Sequence, residues 1–386
     1  MRNFVFQNPT KILFGEGMLE ELPLELESYG KNILFVYGTG SIKKTGLYDR
    51  VTALLKKAGK QVVELPGIMP NPRTGKVYEG IDICRQESID FILAVGGGSV
   101  IDASKAIAAG ALYEGDFWQD LYLDGHEVEE ALPLGTVLTM PATGSEMNCG
   151  AVVSDWEGND KRGYGCPSLY PRFSILEPRL TMTMPKEQVV YGAVDMLSHV
   201  FEQYFSPPDD GNLSDDLSEA LMRNIRLNLD RSLEDLLDYE ARSNLMWCGT
   251  MALNNLLRLG KEQDWQSHQI EHALSAWYDI PHGAGLAIVH PNLLYHIRKE
   301  AESKLARFAV RVWDIDPSGK TDEELALLGI RATRDYFNQI GAPETLSDVG
   351  IPADAVEKLA DTTQLIRAGY RALERDDVLA ILKRSI

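Results

Sequence analysis

Residues 90–95 read DFILAV and run without a break into Gly96-Gly97-Gly98-Ser99-Val100-Ile101-Asp102, where helical pattern begins and continues to about residue 109. An apolar run of strand length with no polar alternation calls for burial on both faces, and the glycines mark a sharp strand-to-helix turn. The chain before it repeats the theme. Residues 32–37 (NILFVY) are a buried-type strand and residues 61–65 another strand, and residues 47–57 and 74–87 carry helical pattern. Residues 134–140 (LGTVLTM), 149–154 and 173–176 are further strands, and residues 4–6 and 11–14 read as two short ones near the N-terminus. Alternating strands and helices with apolar strands predict a parallel, doubly wound sheet. Beyond residue 183 no strand pattern recurs; helical periodicity covers roughly 188–205, 213–228, 239–257, 265–277, 300–312, 321–340, 353–365 and 376–383. An α/β domain over residues 1–183 and an all-helical domain over residues 184–386 are expected, and 386 residues suffice for two cores.

A glycine turn that opens a helix exposes free backbone N–H groups and the positive end of the helix dipole, with no side chain in the way of a phosphate. The ligand implied at Gly96 to Asp102 is a nucleotide pyrophosphate, although packing alone explains three glycines equally well. Gly38-Thr39-Gly40-Ser41 also follows a strand, but Lys43 stands where a dinucleotide fingerprint has its third glycine. This loop has no acidic residue for a ribose 2'-hydroxyl, whereas Ser41, Lys43 and Lys44 suit a 2'-phosphate, which favours NADP over NAD. A solvated helix start is the plain alternative. Pro141 to Asn148 (PATGSEMN), at the end of another strand, is rich in hydroxyls and suits either ligand contact or a simple turn, and Lys161 is read onto a polar loop.

Three of the seven histidines, His268, His272 and His282, fall within residues 264–285 (DWQSHQIEHALSAWYDIPHGAG). His268 and His272 share one helix face, as do Asp195 and His199, each pair four residues apart; His282 lies in a segment read as a loop. One Asp and three His suit a divalent transition metal and not calcium. Taken singly, each of these histidines is ordinary core; spacing leaves open whether His268 or His272 joins Asp195 and His199. A net charge of −19 disfavours nucleic acid and anionic membranes as partners. The N-terminus lacks a signal-peptide pattern, no stretch is long and apolar enough to span a bilayer, and the four scattered cysteines read as reduced, so a cytoplasmic location is expected.

Gly15-Glu16-Gly17, the Tyr37 to Ser41 loop, Pro70-Asn71-Pro72, Gly96 to Asp102, Pro141 to Asn148, Asp195 to His199 and His268 through His282-Gly283 jointly resemble the iron-containing (group III) alcohol dehydrogenases. Within that family they look like the NADPH-dependent butanol dehydrogenase or aldehyde reductase branch. The resemblance implies a Rossmann-like domain followed by a helical domain, an architecture shared with dehydroquinate synthases, and a homodimer. It implies that Asp195, His199, His268 and His282 hold one catalytic metal (Fe2+, Zn2+ or Ni2+), with His272 and Asp102 as catalytic residues, His272 near the nicotinamide and substrate and Asp102 on the nicotinamide side. Gly38, Thr39, Gly40, Ser41, Asn71, Gly97, Gly98, Ser99, Asp102, Thr139, Thr143, Asn148, Lys161 and His272 would contact NADP(H); Thr39 stands where glycine is common. The reaction implied is hydride transfer between NADP(H) and a primary alcohol or aldehyde. Polyol and lactaldehyde dehydrogenases of the same superfamily are the nearest alternatives. A metal-dependent hydrolase could use the same ligands without needing the glycine turn, and a nucleotide-binding regulator would not need an open metal site.

Overall fold

The computed structural model describes residues 2–209 and 213–386. The chain forms two compact units, Gln7–Met184 with Leu237–Thr250, and Met1–Phe6 with Pro185–Leu236 and Met251–Ile386. A single cut near residue 183 therefore does not describe the division, because residues 237–250 return to the first unit and bury Met246 in its core.

The first unit is built on six parallel strands: β1 (Lys11–Phe14), β2 (Asn32–Gly38), β3 (Gln61–Ile68), β4 (Phe91–Gly97), β5 (Leu134–Met140) and β8 (Phe173–Leu176), in the order β1-β8-β5-β4-β2-β3. β6 (Gly150–Asp155) and β7 (Asp160–Gly165) form a separate antiparallel hairpin. Successive residues of a central strand feed opposite cores. Leu34, Val36, Ile92 and Ala94 join one cluster, while Ile33, Phe35, Tyr37, Phe91, Leu93 and Val95 join the other. Burial on both faces is why these strands read as unbroken apolar runs. Helix α1 (Leu47–Lys57) covers one face through Val51 and Leu55; α2 (Thr74–Gln86) and α3 (Gly98–Leu112) cover the other through Val77, Ile101 and Ile107. This is the doubly wound arrangement. Residues 4–6 are in no strand and leave Phe4, Val5 and Phe6 exposed, so the first of the expected N-terminal strands is absent.

The second unit is helical. Its central elements are α4 (Lys186–Tyr204), α5 (Leu213–Glu234), α7 (Gln266–Tyr278), α8 (His282–His296), α9 (Glu302–Trp313) and α10 (Asp322–Gln339); α6 (Tyr239–Ala252) runs mostly in the first unit. Residues 282–296 were expected to start as a loop but form α8, with Pro281 as its N-cap and Pro291 inside it. Nearly every residue from Gly283 to Leu294 is buried, so the segment has no polar face from which a helical period can be read. Gly283 is a packing glycine rather than a turn residue: a Cβ there would sit 2.1 Å from the Tyr191 carbonyl oxygen on α4. Close approach of α8 to α4 brings the first residue of α8 beside Asp195.

Candidate metal centre and nucleotide cradle

Three imidazole Nε2 atoms gather around one carboxylate oxygen. Asp195 Oδ1 lies 3.5 Å from His199 Nε2, 4.0 Å from His268 Nε2 and 3.6 Å from His282 Nε2. Ligands at ~2.1 Å from a tetrahedral centre are separated by about 3.4 Å, so these distances suit the edges of a coordination shell. Asp195, His268 and His282 each offer a ligand atom within 4.8 Å of the others. His199 joins through Asp195, its ring stacked on that of His268 at 4.9 Å.

His268 and His282 are backed by glutamates on the far side of the ring. His268 Nδ1 lies 3.0 Å from Glu202 Oε1, an oxygen that also accepts from the His268 backbone N–H and the Ser267 hydroxyl. His282 Nδ1 is hydrogen-bonded to Glu271 Oε2, whose other oxygen accepts from Ser275. An acceptor behind Nδ1 places the proton there and leaves the Nε2 lone pair for a metal, the arrangement that orients metal-ligating histidines. Burial, reinforced by His199 and His282, holds His268 well below the ordinary imidazole range, so the ring is neutral. His268 Nε2 is buried without a hydrogen-bond partner, a costly state that a divalent cation would relieve. The donor set thus fits a borderline-soft divalent metal. Glu202 also faces Asp264. Burial raises both carboxyls, and Asp264 is raised further by its neighbour Glu202.

His272, one turn after His268 and also buried, groups with Glu271 and His282 rather than with Asp195. The choice that spacing left open between His268 and His272 is therefore met in the structure by His268 as the neighbour of Asp195. Glu202 and Glu271 were missed in the sequence. The signal available was slight: each stands three residues after a candidate ligand, His199 and His268, on a helix that is buried almost all round.

The nucleotide-type residues lie in the α/β unit. Gly97 caps α3 and Gly98 and Ser99 form its first turn. A Cβ on Gly98 would fall 2.4 Å from the Thr143 side chain, so packing does account for this glycine, and it brings the Thr143 loop onto the helix start. Thr139 is in β5, and Asn71 is buried with φ 50°. Gly38 ends β2, and Thr39 and Gly40 lead into the short helix Ser41–Lys44. Lys43 is exposed, yet its ammonium has partners. Its ammonium lies 5.2 Å and 4.6 Å over the rings of Tyr37 and Tyr48, whose hydroxyls both donate to Glu64 at 2.6 Å.

Two residues differ from expectation. Lys161 is buried on strand β7, not on a polar loop, because the hairpin pairs it with Ser154. Asp102 is nearly buried and both carboxylate oxygens are engaged, Oδ1 by Ser145 Oγ at 2.5 Å and Oδ2 by Val152 N at 2.9 Å. These bonds make Asp102 a tie between α3 and the 145–152 segment and leave it poorly disposed as a catalytic group.

A carboxylate ringed by imidazoles, together with a glycine-turn helix at the carboxyl ends of a parallel sheet, defines the chain as a metal- and nucleotide-dependent oxidoreductase in class. The comparisons agree. The model of iron-containing alcohol dehydrogenases matches residues 9–178, and that of the Fe-containing alcohol dehydrogenase family, C-terminal, matches residues 189–386. The chain belongs to the iron-containing alcohol dehydrogenase family and is an alcohol dehydrogenase or aldehyde reductase of its butanol dehydrogenase branch. It is 49% identical over 388 residues to the probable NADH-dependent butanol dehydrogenase 1 of Bacillus subtilis (strain 168), covering 100% of both chains. It is 39% identical to the NADPH-dependent aldehyde reductase YqhD of Escherichia coli (strain K12), covering 93% of this chain and 92% of the other. The crystal structure of NADH-dependent butanol dehydrogenase A from Thermotoga maritima superposes with a TM-score of 0.95 at 43% identity, covering 100% of this chain and 99% of that one. A nicotinamide cofactor and a divalent metal accompany this membership.

Proposed function

We propose that the chain catalyses reversible hydride transfer between NADP(H) and short primary alcohols or aldehydes of the butanol and butyraldehyde type, about a divalent metal held by Asp195, His199, His268 and His282. The observation that carries the reading is the convergence of the three Nε2 atoms on Asp195 Oδ1, at 3.5 to 4.0 Å. When bound, the cation supplies Lewis acidity toward the substrate oxygen and the reduced nicotinamide supplies the hydride. The chain's residues then do the remaining work. Glu202 and Glu271 fix the tautomer and aim of His268 and His282. Gly97, Gly98 and Ser99 receive the pyrophosphate at the start of α3, and Thr139, Thr143, Asn148, Lys161 and Asn71 position the rest of the nucleotide. His272 delivers a proton to the oxygen of the product alcohol. Asp102 holds the 145–152 segment in place and takes no proton.

The preference for NADP(H) rests on the loop Gly38 to Ser41, which bears no carboxylate, while the nearby Glu64 is held by two tyrosine hydroxyls. The relatives' names include both NADH- and NADPH-dependent enzymes. We further propose a cytoplasmic homodimer. All four cysteines are free, as a reducing compartment would leave them, and Phe4, Val5 and Phe6 offer an exposed apolar segment for a second copy. Among the described residues no helix is long and apolar enough to cross a membrane.

The test is absorbance at the reduced-nicotinamide band with butyraldehyde, using NADPH and NADH, before and after chelation and metal add-back. Chelator-sensitive oxidation with a higher kcat/KM for NADPH is expected. Equal or better use of NADH overturns the cofactor preference, and no oxidation of either cofactor after metal add-back overturns the function.

A further inference from the structure

Lys105 lies two turns into α3, with its side chain fully buried. An ammonium stripped of water persists only if its donors are satisfied. Here each donor has an acceptor: Ser145 Oγ at 2.9 Å, Asn148 Oδ1 at 3.0 Å and the Gly150 carbonyl at 2.8 Å. Two of the acceptors belong to the loop between β5 and β6, and the third is the carbonyl of the first residue of β6. Asp102, one turn earlier on the same helix, grips that segment at Ser145 and Val152. Thr143, in the same loop, rests against Gly98 at the helix start.

We propose that Lys105 is a positioning residue for nucleotide binding: it ties the loop from Thr143 to Gly150 onto the helix whose first turn receives the pyrophosphate, so that Thr143 and Asn148 are presented in fixed geometry. This rests on the nucleotide site proposed above. Burial lowers the Lys105 ammonium to about 8 despite Asp102, which shows how unfavourable the site is for a cation. A buried ion pair seldom stabilises more than well-packed apolar residues, so stability alone would favour a methionine or leucine at this position. What the charge adds is direction, three bonds to three named atoms.

The test compares wild type with Lys105→Met and Ser145→Ala. Nucleotide Kd is read from the fluorescence of reduced nicotinamide, cofactor KM and kcat from turnover, and bound metal from elemental analysis. Lys105→Met should raise Kd and cofactor KM about tenfold or more, the scale of losing hydrogen bonds to a charged group, with kcat at saturation within about threefold of wild type and metal content unchanged. Ser145→Ala removes one acceptor and should raise Kd a few-fold. In Lys105→Met/Asn148→Ala the two effects should fall short of additive, because Lys105 acts partly through Asn148. A folded Lys105→Met chain with wild-type Kd, or one that loses kcat at unchanged cofactor KM, overturns the proposal. If Lys105→Met does not fold, Ser145→Ala decides: an unchanged Kd overturns it. If wild type itself binds no nucleotide, the proposed function fails, which is a distinct outcome from wild-type binding that Lys105→Met leaves intact.

Discussion

Replacing Glu271 by Gln tests whether the carboxylates behind the histidines create the metal site. Glu271 is fully buried; Oε2 is bonded to His282 Nδ1 and Oε1 to the Ser275 hydroxyl, which itself lies 3.2 Å from the Ile280 carbonyl. Glutamine keeps the volume but has one oxygen for two donors. If its amide N–H2 faces His282, Nδ1 must accept, the ring proton moves to Nε2, and the candidate ligand atom is blocked. If instead the amide turns to Ser275, the hydroxyl accepts from it and donates to Ile280; His282 keeps its tautomer but loses a charge-assisted bond. A hydrogen bond to a charged group contributes about 1.5–3 kcal/mol. Loss of such a partner behind a metal ligand lowers metal affinity about 10- to 100-fold, or roughly 1.4–2.7 kcal/mol, and the two scales agree. The expected result is therefore a rise of about 10- to 100-fold in the Zn2+ dissociation constant, measured by competition with a chromogenic chelator. At saturating metal, kcat should fall by less than affinity does. Zn2+ affinity within about threefold of wild type in a folded Glu271→Gln chain would refute the reasoning, because such a change is under 1 kcal/mol.

Four further outcomes are expected. His268→Ala should abolish bound metal and turnover together, and chelation of wild type should lower its melting temperature, since a cation at 1,000 times its Kd contributes about 4 kcal/mol to the folded state; calorimetry with and without chelator checks both. Gly98→Ala puts a Cβ 2.4 Å from Thr143, an overpacking of about 1–3 kcal/mol that should weaken nucleotide binding while leaving metal content unchanged. Burial holds the Glu146 carboxyl above its ordinary range although Thr250 donates to it. The folded chain therefore binds that proton more tightly than the unfolded chain, and the contribution is full below the ordinary carboxyl value and lost as pH rises through the folded one. Melting temperatures from pH 4 upward should thus decline less steeply for Glu146→Gln than for wild type; parallel curves would contradict this.

The sheet was legible because its information is local. β2 and β4 are buried on both faces and β4 ends at glycine, features that a run of residues carries by itself. The pairs Asp195 with His199 and His268 with His272 were legible for the same reason, as four-residue spacing fixes a common helix face. What escaped depends on neighbours distant in sequence. Residues 282–296 lack a polar face because α8 is enclosed, so periodicity is silent about a helix that Gly283 packs against Tyr191. Asp102 read as a group near the cofactor, yet its partners Ser145 and Val152 lie 43 and 50 residues away. The lysine pair at 43 and 44 suggested open positive charge; Lys43 is exposed, and what the sequence did not show is that its ammonium lies over Tyr37 and Tyr48, whose hydroxyls hold Glu64 of the neighbouring strand.

The two glutamates connect these observations with the chemistry. A carboxylate is costly to bury, and the helical unit buries Asp195, Glu202 and Glu271 together around imidazoles, one of which is held neutral. Hydrogen bonds from Ser267, Ser275 and the His268 backbone offset part of that cost, but they bring no positive charge. Each of the three carboxylates faces histidine: Asp195 faces His199, His268 and His282, Glu202 faces His268, and Glu271 faces His282. A divalent cation among the Nε2 atoms is the natural counter-charge. It would stand next to Asp195 and act on the glutamates through His268 and His282, so that the same two carboxylates that make the imidazoles stronger donors are themselves stabilised when the metal is bound. A cation held there would couple the stability of the helical unit to the ion that the chemistry requires.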